Sequence, residues 1–171
     1  TEQQIVFSIM RVMAKQLELA DFGGGCFWGV EEVFRTAKGV VKTQVGYEGG
    51  HVANPTYEQV SSHTTGHAET VQVSFDPDKI SYKELLNLFF DHHDPTQVNG
   101  QGPDIGENYR SVIFYRSDEQ KKQAESKIIE LDKSGKFSKP IATMVVPASN
   151  FWLAEDYHQQ YLHKRNLDVC Y

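Results

Sequence analysis

Three glycines in a row, Gly23-Gly24-Gly25, separate two stretches of opposite periodicity. Before them, Leu17 and Leu19 alternate with Gln16 and Glu18, the period-two signature of a strand. After them, Phe27, Val30, Phe34 and Ala37 recur at helical spacing until Gly39 ends the run. The segment therefore reads as a strand, a glycine turn and a helix, with Cys26 in the first helical turn. Glycines at such a turn let the backbone approach a ligand closely. They do not form a phosphate loop, because the lysine of a Walker motif and the G-x-G-x-x-G spacing are both missing.

The rest of the chain alternates the two periods. Val41, Thr43, Val45 and Tyr47 predict a strand, followed by a long polar loop from Glu48 to Gly66. Val71, Val73 and Phe75 predict a third strand. Ser81 to Glu84 reads as a capping box opening a helix whose buried stripe is Tyr82, Leu85, Leu86, Phe89 and Phe90. Asp94 to Glu107 reads as loop, Val112 to Tyr115 as strand, and Ser117 with Gln120 caps a helix that ends near Gly135. Ile141 to Val146 predicts another strand, and Ala154 to Lys164 a last helical stretch. The fold class expected is α+β: one domain with a mixed β-sheet and packed helices, a ferredoxin-like type of α/β sandwich with long loops.

A chain of 171 residues fits one domain, and its 39% hydrophobic and 23% charged residues argue against disorder. The expected divisions are an N-terminal extension or remnant over 1–12, with Met13 as a natural start, a catalytic domain over 13–164, and a mobile tail over 165–171. The formal charge of −6 disfavours nucleic acid and anionic membranes as partners. No stretch reaches the roughly 20 apolar residues of a membrane span. Two cysteines, Cys26 and Cys170, are too few for a disulfide scaffold and lack zinc-site spacing. A reducing, cytoplasmic setting and a monomer are the expectations.

Cys26 and Glu69 are the residues with the clearest chemical context. A thiol in a helix's first turn meets unpaired N–H groups and the positive end of the macrodipole, which favour the nucleophilic thiolate. The competing reading is a small buried hydrophobe. Counting by twos, Glu69 shares a strand face with Val71, Val73 and Phe75, so its carboxyl should be desolvated, with a raised pKa suited to a general acid. The competing reading is a strand-end carboxylate that meets solvent or a lysine. Tyr57, Tyr109 and Asp104 lie in loop or pre-strand segments that could line a cleft. The seven histidines do not define a metal site: His63 and His67 have i,i+4 spacing, but Gly66 between them disfavours the helix that would align them.

The blocks Phe22-Gly23-Gly24-Gly25-Cys26-Phe27-Trp28-Gly29, Val45-Gly46-Tyr47, Gly49-Gly50-His51, Asn54-Pro55-Thr56-Tyr57, Gly66-His67-Ala68-Glu69, Asp94-Pro95-Thr96, Asp104-Ile105-Gly106, Tyr109-Arg110-Ser111 and Ala154-Glu155-Asp156-Tyr157-His158-Gln159 occur in one order. In these blocks, over about residues 15–165, the chain resembles the peptide methionine sulfoxide reductases of the A class. The resemblance implies that Cys26 attacks the sulfoxide sulfur and that Glu69 protonates its oxygen. Tyr57 and Tyr109 would donate hydrogen bonds to that oxygen, and Asp104 would order the polar side of the pocket. Phe27 and Trp28 would receive the S-methyl group.

It further implies that Cys26 becomes a sulfenic acid and that Cys170, in the tail, resolves it as a disulfide for thioredoxin or a related dithiol protein to reduce. The substrate would be the S epimer of methionine sulfoxide, free or in peptides and proteins, with no metal or organic cofactor. Ser61 and Ser62 stand where some relatives carry a further cysteine. Three other readings remain at this point: a cysteine hydrolase pairing Cys26 with His158, a module that binds methionine sulfoxide without reducing it, and a metal-binding protein.

Overall fold

The computed structural model describes residues 2–5 and 16–167. Strand β1 (Glu18–Gly24) leads into helix α1 (Phe27–Arg35), and β2 (Val40–Glu48) follows. Next come a short helix α2 (Tyr57–Ser61), strand β3 (Ala68–Phe75) and helix α3 (Tyr82–Asp91). Two-residue strands β4 (Gly100–Gln101) and β5 (Asp104–Ile105) form a hairpin, and a 3₁₀ turn (Glu107–Tyr109) enters β6 (Ser111–Tyr115). Helix α4 (Asp118–Ser134), β7 (Met144–Pro147), β8 (Trp152–Leu153), a second 3₁₀ turn (Asp156–His158) and α5 (Tyr161–Lys164) complete the domain.

The six-stranded sheet has the order β7-β6-β1-β3-β2-β8, with every neighbouring pair antiparallel except β6 and β7. Helix α4 makes the crossover between those two parallel strands, which hairpins cannot join. It is capped at one end by the Ser117 hydroxyl, which accepts from Gln120 N–H, and at the other by Gly135 in the left-handed region at φ 72°. Phe22, at the centre of β1, stacks on Phe34 of α1 at 4.8 Å and lies 5.1 Å from Phe89 of α3. These three rings join both helices to the sheet, each burial stabilising the fold by about 2–3 kcal/mol.

This sheet brings three strand ends together. Phe22 pairs with Val71, and Tyr47 of β2 pairs with Glu69 of β3. Of the three glycines expected to turn, Gly23 and Gly24 instead extend β1, paired with Val112 and Ser111. The end of β1 is pressed against the start of β3: a Cβ on Gly23 would sit 3.1 Å from the Glu69 carbonyl oxygen and 2.8 Å from Val112. A side chain there would force the strand away from Glu69.

Several local expectations need correction. The polar loop after β2 contains α2, which Thr56 and Gln59 stabilise through a complete capping box. At α3 only the Ser81 half of the predicted box is formed, with its hydroxyl accepting from Glu84 N–H. The strand expected from Ile141 begins at Met144, and the loop after Asp94 carries the β4–β5 hairpin. The stretch from Ala154 is not one helix. Gln160 sits at φ 50°, which separates the 3₁₀ turn from the single turn of α5. Cys170 and the remainder of the tail beyond Leu167 lie outside the described residues.

Candidate active site

Cys26 occupies the N-cap of α1, directly after Gly25 at φ 102°. Its half-buried thiol therefore sits at the positive end of a nine-residue helix. The next residue, Phe27, donates its backbone N–H to Glu69 Oε1 at 3.1 Å. One of the amides that a helix start leaves unserved is thus used to hold a carboxyl group that is 1% exposed. Glu69 reaches this amide from the core face of β3, which it shares with Val71, Val73 and Phe75.

Tyr57 and Tyr109 enter from the two loops that flank this centre. Burial pushes the Tyr57 hydroxyl's pKa up, with Glu69 and Cys26 among the groups near enough to raise it further. Tyr109 is also pushed up, first by burial and then by Glu69, Tyr57, Asp104 and Cys26. Both phenols accordingly keep their protons through neutral pH and can donate them in hydrogen bonds. Asp104 and Cys26 line one cleft of about 220 Å³ together with Gly102, His93 and Val30. The six residues Cys26, Phe27, Glu69, Tyr57, Tyr109 and Asp104 thus converge from five separate segments.

Trp28 and Phe27 face the last segment of the domain. The Trp28 indole N–H donates to His158 Nδ1 at 2.9 Å, and its ring lies flat on Tyr161 at 3.7 Å. Arg165 covers the opposite face of Tyr161 at 3.6 Å. Phe27 is buried between Tyr47 and His158, at 5.8 and 5.1 Å. An indole N–H can only donate, so Nδ1 of His158 is the acceptor and the ring's proton is on Nε2. Burial also lowers the His158 pKa and keeps the ring neutral. With Nδ1 occupied and Nε2 protonated, His158 offers no nitrogen to deprotonate Cys26, which removes the geometric basis of the hydrolase reading.

Sequence reasoning gave no structural role to Glu155, Gln159 or Tyr161. Gln159 holds Val45 through both its backbone N–H and C=O, at 2.9 Å each, and Glu31 Oε1 accepts from Gln160 N–H at 2.6 Å. For Glu155 and Gln159 the signal was the Ala154–Gln159 block itself, whose partners lie about a hundred residues away; Tyr161 lies just beyond it.

His93 forms the far wall of the cleft. Its Nδ1–H donates to Phe89 C=O at 2.6 Å, its Nε2 accepts from Ser111 at 2.8 Å, and Ser111 is bonded to Thr143 at 2.7 Å. Burial lowers its pKa to about 4. The unfolded chain therefore takes up this proton first as the pH falls. The stability contributed by neutral His93 is full above about pH 6.5 and is lost towards pH 4, an effect of up to about 3 kcal/mol. In thermal melts, the stability deficit of His93→Gln relative to the unmodified protein is expected to shrink between about pH 7 and pH 4.5. A deficit that stays constant with pH would count against it.

Among the described residues, no helix is long and apolar enough to cross a membrane, and no group of three or more His, Cys, Asp or Glu is arranged to hold a metal ion.

The chain is similar to known proteins in both sequence and fold. A family profile described as peptide methionine sulfoxide reductase matches residues 18–171. Among curated relatives, the peptide methionine sulfoxide reductase MsrA of Methanosarcina mazei is 60% identical, over 87% of this chain and 71% of its own length. That of Methanoculleus marisnigri is 57% identical over 91% and 95%. Among solved structures, reduced Mxr1 from Saccharomyces cerevisiae superposes with a TM-score of 0.83 at 36% identity, covering 92% of this chain and 90% of that one. Mxr1 in complex with Trx2 gives a TM-score of 0.60 at 29% identity, covering 86% of each chain. Fold, site and matches define a thiol-dependent oxidoreductase. The chain belongs to the peptide methionine sulfoxide reductase family, whose members reduce methionine sulfoxide.

Proposed function

We propose that this protein reduces the S epimer of methionine sulfoxide, free or within peptides and proteins, with Cys26 as nucleophile and Glu69 as acid. The observation that carries this reading is the 3.1 Å hydrogen bond from Phe27 N–H to Glu69 Oε1. It ties the carboxyl group on β3 to the residue adjoining the thiol, so the two reactants stand side by side. The Cys26 sulfur attacks the sulfoxide sulfur while Glu69 gives a proton to the sulfoxide oxygen. Tyr57 and Tyr109 donate hydrogen bonds to that oxygen as negative charge develops on it. Asp104 orders the polar side of the cleft that it shares with Cys26, and the Trp28 and Phe27 rings, which follow the thiol in sequence, supply the apolar contact for the methyl group.

The oxygen passes to sulfur, so Cys26 becomes a sulfenic acid as the thioether leaves. The substrate sulfur gains two electrons and the cysteine sulfur loses two. The Cys170 thiol then attacks the sulfenic sulfur and releases water, forming a disulfide. Thioredoxin or a related dithiol protein reduces it by exchange. The structure of Mxr1 with Trx2 supports such a partner. The setting that fits this cycle is cytoplasmic, where dithiol reductants are maintained. A monomer suffices, since each assigned group comes from one chain, and the cycle calls for no metal or organic cofactor.

A thiol count on fully reduced protein, before and after excess methyl sulfoxide without reductant, tests the whole cycle. Loss of both thiols supports reduction and the Cys26–Cys170 disulfide together. Loss of one removes Cys170 from the cycle, and no loss removes the reductase reading. Cys170→Ser is expected to complete a single turnover at an unchanged rate and then to stall with thioredoxin as sole reductant. Equal steady-state thioredoxin rates in the two proteins would sink the recycling role.

A further inference from the structure

The proposed donor Tyr57 stands on a five-residue helix, too short to hold itself in place. Its position is instead set from the other end of the chain. Glu155 Oε2 accepts from the Tyr57 backbone N–H at 3.1 Å, across 98 residues of sequence. The other oxygen, Oε1, accepts from the Tyr47 hydroxyl at 2.9 Å. Tyr47 is fully buried, pairs with Glu69 across the β2–β3 ladder and packs against Phe27. Three residues after Glu155, His158 places its ring 4.5 Å from that of Tyr57. One 3₁₀ turn therefore grips Tyr57 at its root and at its ring, and fastens both grips to the strand that neighbours Glu69.

We infer that Glu155 is a positioning residue, which fixes the Tyr57 hydroxyl relative to Glu69 and Cys26 by bridging Tyr57 N–H to the Tyr47 hydroxyl. The inference rests on the assignment of Tyr57 as a donor to the sulfoxide oxygen. Glu155 touches neither thiol nor substrate in this account; it acts through Tyr57. The carboxylate form is the one present near neutral pH. Burial pushes the Glu155 pKa up, but hydrogen bonds from its own backbone, from Tyr57 N–H and from the Tyr47 hydroxyl outweigh burial and bring it below the ordinary value.

A residue that acts through another leaves a signature in a double-mutant cycle. Displacing a catalytic group by about 1 Å costs on the order of 10²-fold. Glu155→Ala is therefore expected to slow single-turnover reduction of a methionine S-sulfoxide peptide by roughly 10- to 100-fold. Tyr57→Phe should slow the unmodified protein by roughly tenfold or more, yet change the Glu155→Ala protein by less than about twofold. Glu155→Gln should recover most of the rate, because its amide can accept from Tyr57 N–H and donate to the Tyr47 oxygen.

Should Glu155→Ala fail to fold, Glu155→Asp replaces it in the cycle. The shortened side chain withdraws both oxygens from their partners, and the same suppression of the Tyr57→Phe effect is expected. A Tyr57→Phe penalty of equal size in both backgrounds would overturn the role of Glu155 and leave Tyr57 as donor. A silent Tyr57→Phe in the unmodified protein would overturn both.

Discussion

Cys26→Ser is expected to abolish sulfoxide reduction, with a loss on the order of 10⁴-fold or more in the single-turnover rate. The hydroxyl would keep the N-cap position and the first amides of α1 in place. Its proton is held far too tightly at neutral pH for the helix terminus to release it, and an alkoxyl oxygen cannot take the place of sulfur in accepting the sulfoxide oxygen. Little packing is lost by exchanging sulfur for oxygen at a half-buried site, so the melting temperature should stay close to that of the unmodified protein. Substrate binding should persist too. Trp28 is one of only two tryptophans in the chain, and quenching of its fluorescence by added methyl sulfoxide would report occupancy without chemistry. Measurable turnover by Cys26→Ser would mean that another group opens the S–O bond.

Glu69→Gln comes next in expected size, at about 10²- to 10⁴-fold in the same single-turnover assay. That range corresponds to about 3 to 5 kcal/mol of transition-state stabilisation. The amide oxygen can still accept from Phe27 N–H, so the geometry seen at 3.1 Å should survive. What disappears is a transferable proton close to the sulfoxide oxygen. Without it the departing oxygen must draw on bulk acid, so the rate of the variant should rise steadily as the pH falls while the parent profile does not. A loss of less than about tenfold would reassign the acid to another group. Tyr109 would then be the first to examine, since its phenol is protonated and lies within electrostatic reach of Cys26.

These two residues were also the most legible in the sequence, for a shared reason. Cys26 is placed by its neighbours: a strand, three glycines and a helix determine where the thiol goes with little help from distant residues. Glu69 is placed by period-two alternation, which sends it to the side of Val71 and Val73 whatever lies opposite. Tyr57 is different. A five-residue helix has no periodicity to read, and its register depends on Glu155, 98 positions away.

The segment after Ala154 misled for the same reason. Its composition suits a helix, yet Gln160 adopts φ 50° with its N–H held by Glu31, a contact between residues 129 apart. A one-turn helix follows because the chain must restart beyond that kink. Hairpin β4–β5 leaves no trace in the sequence, because two residues per strand carry no alternation. The alternative pairing of His158 with Cys26 stays open in the sequence, because nothing local reveals that Trp28 occupies its acceptor nitrogen.

The segment that packs on Trp28 is synthesised long after Trp28 itself. Trp28 leaves the ribosome first, and its partner His158 follows 130 residues behind it. At about 5 to 20 residues per second, that gap lasts roughly 6 to 26 s. Throughout it, β1 and α1 can be present with their thiol, while the indole has no Tyr161 beneath it and Tyr57 has no carboxylate to anchor it. The nascent chain thus exposes the proposed nucleophile, Cys26, to passing oxidants before the Trp28 and Tyr57 contacts exist. A reducing medium during translation would protect the Cys26 thiol at the stage when these contacts cannot yet form.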